Sequence, residues 1–378
     1  SQNSSQFQLP ILVLTYNRLE YLSATLETIA LRLSQWLATQ STPPSLTCNF
    51  SLWISQDGTD FDQITSYIDR LERDPDAWWG GRFRNTKRAL PAKLSKGPGP
   101  AYYYIASHYK FALSSLFASL PDAQAVLIVE EDMLLAHDAL SFFCAGAREL
   151  VRSQSTATDP HRPPLYAVSG WNDNANPPTA RPRPDELTRS DFFPGLGWVL
   201  SRPLWDELAP KWPVAFWDDW MREPAQRAGR HSIYPSVSRT HTVGRRGSSG
   251  GQFFDKYLAA NYYATDEEAQ PWHTLLPASR ALNATATRHA LTHSVATATS
   301  LTTTEQLKTG AMASCVEGAT FTVRCKAPCS EATWRRLTLP FGLMTDMKAG
   351  VPRGSLDGVV TFGWPRCNKN VTVHLVKD

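Results

Sequence analysis

Short apolar runs alternate with segments of helical periodicity over the first half of the chain. The apolar runs cover residues 10–14, 50–54, 125–129 and 165–169. Helical spacing is shown by Leu22, Leu26, Ile29 and Leu33, and again by Ile105, Tyr109, Leu113 and Leu116. Polar residues follow the ends of the runs. This order predicts a doubly wound α/β sheet, a fold class that binds ligands at the carboxyl ends of its strands.

The pattern changes after residue 276. Residues 277–314 are rich in Ala, Thr and Ser and show little periodicity, which is typical of a surface linker or insertion. Beyond them, residues 359–362 and 371–376 have the composition of strands. We therefore expect a main α/β domain over residues 1–276, a linker or insertion over 277–314, and a small C-terminal subdomain over 315–378.

Composition and charge fit an ordinary folded protein. The chain has 378 residues, of which 42% are hydrophobic and 19% charged, and its net charge is +3. This charge is too small to indicate a nucleic-acid partner, and we expect none. Residues 82–96 carry six basic residues and no acidic one, so this segment is either a solvated loop or a loop that contacts an anion.

Two further features concern the cellular compartment in which the protein is found. No apolar stretch approaches the ~20 residues that span a bilayer. The chain begins at Ser1, which we interpret as the result of a removed targeting segment or a trimmed chain. Sequons compatible with a secretory route occur at Asn3, Asn49, Asn283 and Asn370.

The six cysteines are unevenly placed. Cys48 and Cys144 are isolated in the sequence, whereas the other four lie in the last quarter of the chain, at Cys315, Cys325, Cys329 and Cys367. Disulfides, free thiols and zinc are the alternatives for this cluster, but its spacing lacks paired C-x2-C knuckles. We expect disulfides that staple the C-terminal subdomain, with a pairing that spacing does not determine.

Two acidic segments carry the candidate chemistry. Glu130, Glu131 and Asp132 follow the strand predicted at 125–129, where such a cluster is either a solvated turn or a site at which a cation or sugar hydroxyls meet the carboxylates. Residues 216–220 place two carboxylates between tryptophans, which suits a sugar ring. Together the segments indicate metal-assisted chemistry on a nucleotide-sugar.

Longer motifs resemble one enzyme family, the α-1,3-mannosyl-glycoprotein β-1,2-N-acetylglucosaminyltransferases (N-acetylglucosaminyltransferase I). The resemblance runs from about residue 9 to the end of the chain, apart from loops. Its motifs include Val129-Glu-Glu-Asp132, Ser169-Gly-Trp-Asn-Asp173, Asp191-Phe-Phe-Pro-Gly-Leu-Gly-Trp198, Phe216-Trp-Asp-Asp-Trp-Met-Arg222 and Gly251-Gln-Phe-Phe-Asp255, with further matches at residues 105–113, 210–213, 238–240, 344–353 and 358–362.

The resemblance implies a GT-A fold and an inverting transfer that depends on Mn2+. The implied donor is UDP-N-acetylglucosamine, and the implied acceptor is a high-mannose N-glycan on a glycoprotein. It also implies a type II membrane protein of the Golgi. This chain would then be the luminal catalytic part, with a membrane anchor and stem expected upstream of it.

The same resemblance implies roles for the strand-exit acids. Asp132 would be the metal ligand, together with the donor diphosphate. Glu130 would contact hydroxyls of the donor sugar. Glu131 stands where the family usually has Asp, so its expected contact with the ribose is made by a side chain one methylene longer.

Asp218 matches the family's catalytic base, which would take the proton of the acceptor hydroxyl. From the residues alone, the adjacent Asp219 is an equal candidate. Trp217 would pack on the sugar, although a tryptophan at such a position is also a common core residue.

The remaining implied contacts concern the nucleotide. Arg18, Asp57 and His108 match positions that line the family's uridine pocket. Ser249 aligns with a serine at the diphosphate, within the Gly-, Ser- and Arg-rich residues 244–251. The family has a loop here that orders over the donor, and backbone N–H groups of such a segment bind phosphate.

Two other functions compete with this interpretation. A related transferase that acts on O-linked mannose shares the Glu-Glu-Asp triplet. A catalytically silent sugar-binding protein on the same fold is the second alternative, although a lectin has no need for both Asp132 and Asp218.

Overall fold

The computed structural model describes residues 6–38, 47–58, 60–74, 79–86, 99–155, 164–175, 183–247, 251, 254–304, 306, 316–366 and 369–378. Its main sheet has eight strands in the order β3-β2-β1-β4-β8-β6-β9-β7. These strands are β1 (Phe7–Thr15), β2 (Cys48–Asp57), β3 (Trp79–Asn85), β4 (Ala125–Glu130), β6 (Leu165–Ser169), β7 (Leu187–Ser190), β8 (Trp198–Ser201) and β9 (His231–Pro235).

The sheet is mixed rather than wholly parallel. Strands β1 to β4 are parallel to their neighbours within this group, whereas β8 runs antiparallel between β4 and β6. Strand β7 is antiparallel to β9 at the far edge. The four parallel strands place their carboxyl ends at one edge of the sheet, which is the edge that the sequence analysis expected to bind a ligand.

Helices cover both faces of the sheet, so the predicted doubly wound α/β class is confirmed. They are α1 (Leu19–Ala38), α2 (Asp62–Glu72), α3 (Ala101–Ser119), α4 (Ala139–Ser155), α5 (Arg202–Leu208), α6 (Trp217–Met221), α7 (Pro224–Arg227) and α8 (Trp272–Ala278). Helices α1, α2, α4 and α8 share one buried core with the sheet. Helices α3, α5 and α6 share a second core on the opposite face.

A smaller unit follows the main sheet. It contains helix α9 (Ala284–Thr297), strand β11 (Thr299–Leu301), β12 (Thr320–Cys325), helix α10 (Glu331–Thr338), β15 (Val359–Arg366) and β16 (Lys369–Lys377). The four strands form one sheet in the order β11-β12-β16-β15, and the unit has its own core around Trp334 and Phe341. The predicted strands at 359–362 and 371–376 are confirmed.

The segment interpreted as a linker contains regular structure. Helix α9 and strand β11 both lie within residues 277–314, although the sequence showed little periodicity there. Asn283 caps α9 by accepting a hydrogen bond from the Ala286 N–H at 2.9 Å. Because β11 pairs with β12, this part of the segment packs with the C-terminal sheet. The two boundaries between the three predicted parts stay a prediction.

Two short antiparallel strand pairs complete the framework. Strand β5 (Met133–Leu135), directly after the acidic cluster, pairs with β10 (Thr240–Thr242). Strands β13 (Met347–Lys348) and β14 (Val351–Pro352) pair with each other. The turn between β13 and β14 has positive φ at Ala349 and Gly350.

Two disulfides lie within the described residues. Cys48 of β2 is bonded to Cys144 of α4, a pair that the sequence analysis did not foresee. Cys325 is bonded to Cys329 in the smaller unit, with a sequence separation of 4. A disulfide in the cluster is thus confirmed, while its role as a staple of the subdomain stays a prediction. Cys315 and Cys367 lie outside the described residues. Among the described helices, none combines the length and apolar character that crossing a bilayer requires.

Candidate active site

Three neighbouring parallel strands end together at the carboxyl edge of the main sheet. The register pairs Leu14 of β1 with Ser55 of β2 on one side and with Glu130 of β4 on the other. The residues that follow these strands therefore meet at one place. The sequence predicted this convergence because parallel strands that are neighbours in a sheet end at the same edge.

A cavity of about 740 Å³ opens at this edge. Eight of the nine residues predicted from the sequence line it, namely Arg18, Asp57, His108, Glu130, Glu131, Asp132, Trp217 and Asp218. The ninth, Ser249, lies outside the described residues. Its neighbours Gly244, Arg246 and Gly247 line the same cavity, so the Gly-rich segment begins at the site.

Glu131 is hydrogen-bonded to residues at the end of strand β1. Its Oε2 accepts hydrogen bonds from the Thr15 hydroxyl at 2.5 Å and from the Tyr16 N–H at 2.9 Å. Its Oε1 accepts from Arg18 Nε at 2.7 Å. The residue is only 3% exposed. In this arrangement the middle acid joins β1 to β4, and both carboxylate oxygens already have protein donors.

Asp132 is the acid that faces the Gly-rich segment. Its Oδ2 lies 2.9 Å from Arg18 Nη1, and the same Nη1 donates to the Arg246 carbonyl at 2.6 Å. Gly244 passes so close that a Cβ on it would collide with the Asp132 carboxylate. The absence of a side chain at position 244 therefore leaves the carboxylate room within the cavity.

Glu130 is half-buried beside a tyrosine of helix α3. The Tyr109 hydroxyl donates to Glu130 Oε1 at 2.6 Å. Burial, reinforced by the nearby Asp132 charge, raises the pKa of Glu130 to about 7 against the opposing effect of Tyr109 and Arg18. A carboxyl group of this kind is suited to hydrogen bonding with sugar hydroxyls, because it accepts and, when protonated, donates.

His108 and Asp57 are two further polar residues that line the cavity. His108 Nε2 is hydrogen-bonded to the Ser55 hydroxyl at 2.9 Å. Asp57 Oδ1 accepts from Asn85 Nδ2 at 2.9 Å. Both side chains are held by neighbouring strands, so they face the cavity from fixed positions.

Helix α6 brings the tryptophan and aspartate motif to the cavity. Its N-cap Phe216 has a left-handed backbone with φ of 51°, which is uncommon for a residue other than Gly and typical of functional turns. Trp217 is buried and stacks on Tyr109, with ring centroids 4.0 Å apart. Trp217 thus fixes α6 against α3, as a core tryptophan does, while it also lines the cavity.

The two aspartates of α6 differ in their surroundings. Arg222 Nη1 donates to Asp218 Oδ2 at 2.7 Å and to Asp219 Oδ1 at 2.8 Å. Asp219 Oδ2 accepts a further bond from Lys348 Nζ at 3.0 Å. Burial raises the pKa of Asp219, but Arg222 and Lys348 outweigh it and the net direction is downward. Of the two, only Asp218 lines the cavity.

Comparison with known proteins places this site in a family. The model of the GNT-I family matches residues 1–378. The chain belongs to the GNT-I family.

One curated relative is the Alpha-1,3-mannosyl-glycoprotein 2-beta-N-acetylglucosaminyltransferase of Arabidopsis thaliana. It is 38% identical over 257 residues, which are 66% of this chain and 50% of the relative. The aligned part therefore spans half the length of that relative. The family assigned by resemblance in the sequence analysis is confirmed.

A solved structure also shows some likeness. It is the mannosyltransferase PcManGT from Pyrobaculum calidifontis in complex with GDP-Man and Mn2+. The match covers 77% of this chain and 76% of that chain at 17% identity, with a TM-score of 0.37. A score at this level is too low to assign a ligand or a detailed fold.

The side chains present suit a divalent ion held largely by its substrate. Within the described ranges, no three His, Cys, Asp or Glu side chains converge into a preformed metal site. Asp132 does present a carboxylate to a cavity large enough for a nucleotide-sugar, with Gly244 clearing space beside it. Small hard cations often bind to one or two carboxylates plus substrate phosphates, so this donor set fits such an ion.

Several residues of the site were not predicted from the sequence. Tyr109 was identified only as a core position of a helix, yet its hydroxyl holds Glu130. Arg222 and Lys348 were noted only as members of matched motifs, yet they hold the two aspartates. The spacing Asp218 to Arg222 is the i, i+4 spacing of a helical ion pair, which is a signal that the sequence did contain.

Proposed function

We propose that the chain is an inverting glycosyltransferase that moves N-acetylglucosamine from UDP-N-acetylglucosamine to a mannose. The acceptor group is the 2-hydroxyl of the α-1,3-linked mannose of a high-mannose N-glycan, and the product linkage is β-1,2. The supporting observation is that the acids of the strand exit and Asp218 of α6 face one cavity in a chain of the GNT-I family.

The nucleotide end of the donor would lie at the carboxyl ends of β1 and β2. Arg18, Asp57 and His108 line this part of the cavity. Asp57 is a fixed acceptor and would receive the uracil N–H, while His108 would reach the same base from helix α3. Glu131 supports the pocket from behind, because its oxygens hold the end of β1 and Arg18.

Asp132 would hold Mn2+ together with the donor diphosphate. When bound, the ion offsets the charge that builds on the departing UDP. Arg18 lies 2.9 Å from the same carboxylate, so this cation is positioned to face the diphosphate as well. Glu130, at the sugar end, would contact donor hydroxyls, and its raised pKa allows either hydrogen-bond role.

Asp218 would act as the base. The acceptor 2-hydroxyl oxygen forms a bond to the anomeric carbon, the bond from that carbon to UDP breaks, and UDP leaves with the electron pair. The hydroxyl proton goes to the Asp218 carboxylate. A single displacement of this kind inverts the anomeric configuration. Asp218 suits the role better than Asp219, because Asp219 is held by two cations and does not line the cavity.

The segment over residues 244–251 would cover the donor, with Ser249 at the diphosphate. Its described start already contacts the site, since the Arg246 carbonyl accepts from Arg18.

A Golgi lumenal location, with an anchor upstream of this chain, would place the enzyme beside its glycoprotein acceptors.

A panel of acceptors tests the proposal. The protein is incubated with UDP-N-acetylglucosamine, Mn2+ and mannosyl acceptors of the N-linked and O-linked kinds, and products are read by mass spectrometry. We expect one added N-acetylhexosamine on the N-glycan. Transfer only to O-linked mannose would favour the related transferase, and donor or glycan binding without turnover would favour a sugar-binding protein.

A further inference from the structure

A lysine from the C-terminal part of the chain reaches the catalytic helix. Lys348 lies on β13, and its Nζ is 3.0 Å from Asp219 Oδ2. The two residues are 129 positions apart in the sequence. Lys348 does not itself line the cavity in the described structure, so its contact with the site is made through Asp219.

Arg222 connects this contact to the proposed base. One nitrogen, Nη1, donates to both Asp218 and Asp219, at 2.7 and 2.8 Å. A guanidinium Nη carries two hydrogens, so both are used. The Arg222 side chain is 6% exposed, and its Nε donates to the Phe193 carbonyl at 3.0 Å. Arg222 is therefore a fixed donor that the two carboxylates share.

The hairpin that carries Lys348 is itself anchored to the main domain. Arg353, just beyond the hairpin, pairs with Asp346 at 2.7 Å and with Asp173 at 3.3 Å. Arg353 also lies over the buried Phe192 ring at 5.0 Å, and Arg222 lies over the same ring at 4.9 Å. This packing holds the hairpin and Arg222 in a fixed relation.

We propose that Lys348 is a positioning residue for the proposed base, acting through Asp219 and Arg222 on Asp218. Lys348 neutralises part of the charge of Asp219, so Arg222 remains available to orient Asp218. Without Lys348, Asp219 would depend on Arg222 alone and draw it away from Asp218. The inference rests on the proposed function, because it assigns a means of orienting the same base.

A double-mutant cycle tests this inference. The enzymes are wild type, Lys348→Met, Asp219→Asn and the double variant, assayed for transfer from UDP-N-acetylglucosamine to the mannosyl acceptor. We expect Lys348→Met to lower kcat roughly 10-fold, with the donor KM little changed, and to have little further effect in the Asp219→Asn background. Equal effects of Lys348→Met in both backgrounds would overturn the proposal.

Two readouts separate positioning from general structural damage. The groups that face Asp218 are Asp219 on α6 and Arg222 directly after it, with Glu130 and Tyr109 across the cavity. Loss of a nearby positive charge disfavours an ionised carboxylate, so the acid limb of the pH–rate profile should move to higher pH in Lys348→Met. Lys348→Arg should restore most of kcat. An unmoved acid limb together with failure of Lys348→Arg to rescue would count against the proposal.

A matched control and a structure complete the test. Lys211 makes a surface ion pair with Glu207 at 3.4 Å, away from the cavity, so Lys211→Met should retain wild-type kcat. If the wild-type protein shows no transfer, the proposed function fails, and a crystal structure of Lys348→Met still tests the geometry. We expect a displaced Asp218–Arg222 contact in that structure. Unchanged Arg222 contacts to both aspartates would overturn the positioning role.

Discussion

Arg18 Nε donates to Glu131 Oε1 at 2.7 Å, which ties the residue after strand β1 to the middle acid after strand β4. The same carboxylate also accepts from Thr15 and from the Tyr16 N–H. The three acids of the cluster at residues 130–132 therefore have different roles. Glu131 builds the edge of the sheet, while Glu130 and Asp132 are directed to the cavity.

Replacing Glu131 should affect stability as well as activity. In Glu131→Ala, the Thr15 hydroxyl, the Tyr16 N–H and the buried side of Arg18 lose their acceptor, so we expect unfolding free energy to fall by about 3 kcal/mol. Urea unfolding measures the change, and Glu27→Ala, at an exposed position of α1, is the control. A raised donor KM with no loss of stability would instead support a direct ribose contact.

Asp132 should be required for metal-dependent transfer but not for folding. In Asp132→Ala, Arg18 keeps its bond to Glu131, so the strand ends stay joined. We expect no Mn2+-dependent transfer and a thermal midpoint near that of wild type, with Asp206→Ala as an exposed control. Full activity of the wild type in EDTA, or of Asp132→Ala with Mn2+, would show that the metal role is wrong.

The two aspartates of α6 should respond differently to amide substitution. Asp218→Asn keeps the shape but removes the proton acceptor, so we expect a rate loss of ~10²–10⁴-fold with donor binding little changed. Asp219→Asn should cost far less, because Arg222 stays available to Asp218 and the proton acceptor is intact. The assay is initial-rate transfer with titration of the donor. The reverse order of severity would move the base to Asp219.

The sequence predicted what depends on local pattern. Apolar runs identified β1, β2, β4 and β6, and the rule that parallel sheets bind ligands at the carboxyl ends of their strands located the site at this edge. The role expected of Arg18 came from the resemblance to the family. Strand β8 was not predicted from the sequence, and its antiparallel direction depends on pairing partners and not on composition.

Contacts between residues far apart in the chain could not be predicted from the sequence, because they depend on how the elements pack. Nothing near Asp219 in the chain indicates that its second partner is Lys348, since that contact depends on how the C-terminal hairpin packs. The same holds for the Cys48–Cys144 bond, which joins residues 96 positions apart. Helix α9 was missed because its sides do not differ enough in hydrophobicity to show a periodic signal.

A buried histidine should make the C-terminal sheet sensitive to acid. His374 of β16 is hydrogen-bonded to Ser294 and Thr361, both at 2.8 Å, and burial lowers its pKa to about 4. The unfolded chain, with a histidine pKa near 6.5, binds more protons between these values, so stability falls as pH drops from about 6.5 to 4.

The pKa shift of His374 limits this loss of unfolding free energy to at most roughly 3 kcal/mol. We expect His374→Gln to flatten the dependence of the urea midpoint on pH in that window, while His289→Gln, at an exposed position of α9, keeps it. An identical pH dependence in wild type and His374→Gln would contradict the assignment.

We propose that this protein transfers N-acetylglucosamine to mannose with inversion, using the residues of the cavity. This proposal is tested most directly by incubating the wild-type chain with UDP-N-acetylglucosamine, Mn2+ and a mannose-terminated N-glycan, then determining product mass and anomeric configuration by mass spectrometry and proton NMR. We expect one added N-acetylglucosamine in β linkage to the 2-position of the α-1,3 mannose, formed ~10²–10⁴-fold more slowly by Asp218→Asn. No transferred sugar from this donor, or an α-linked product, would contradict it.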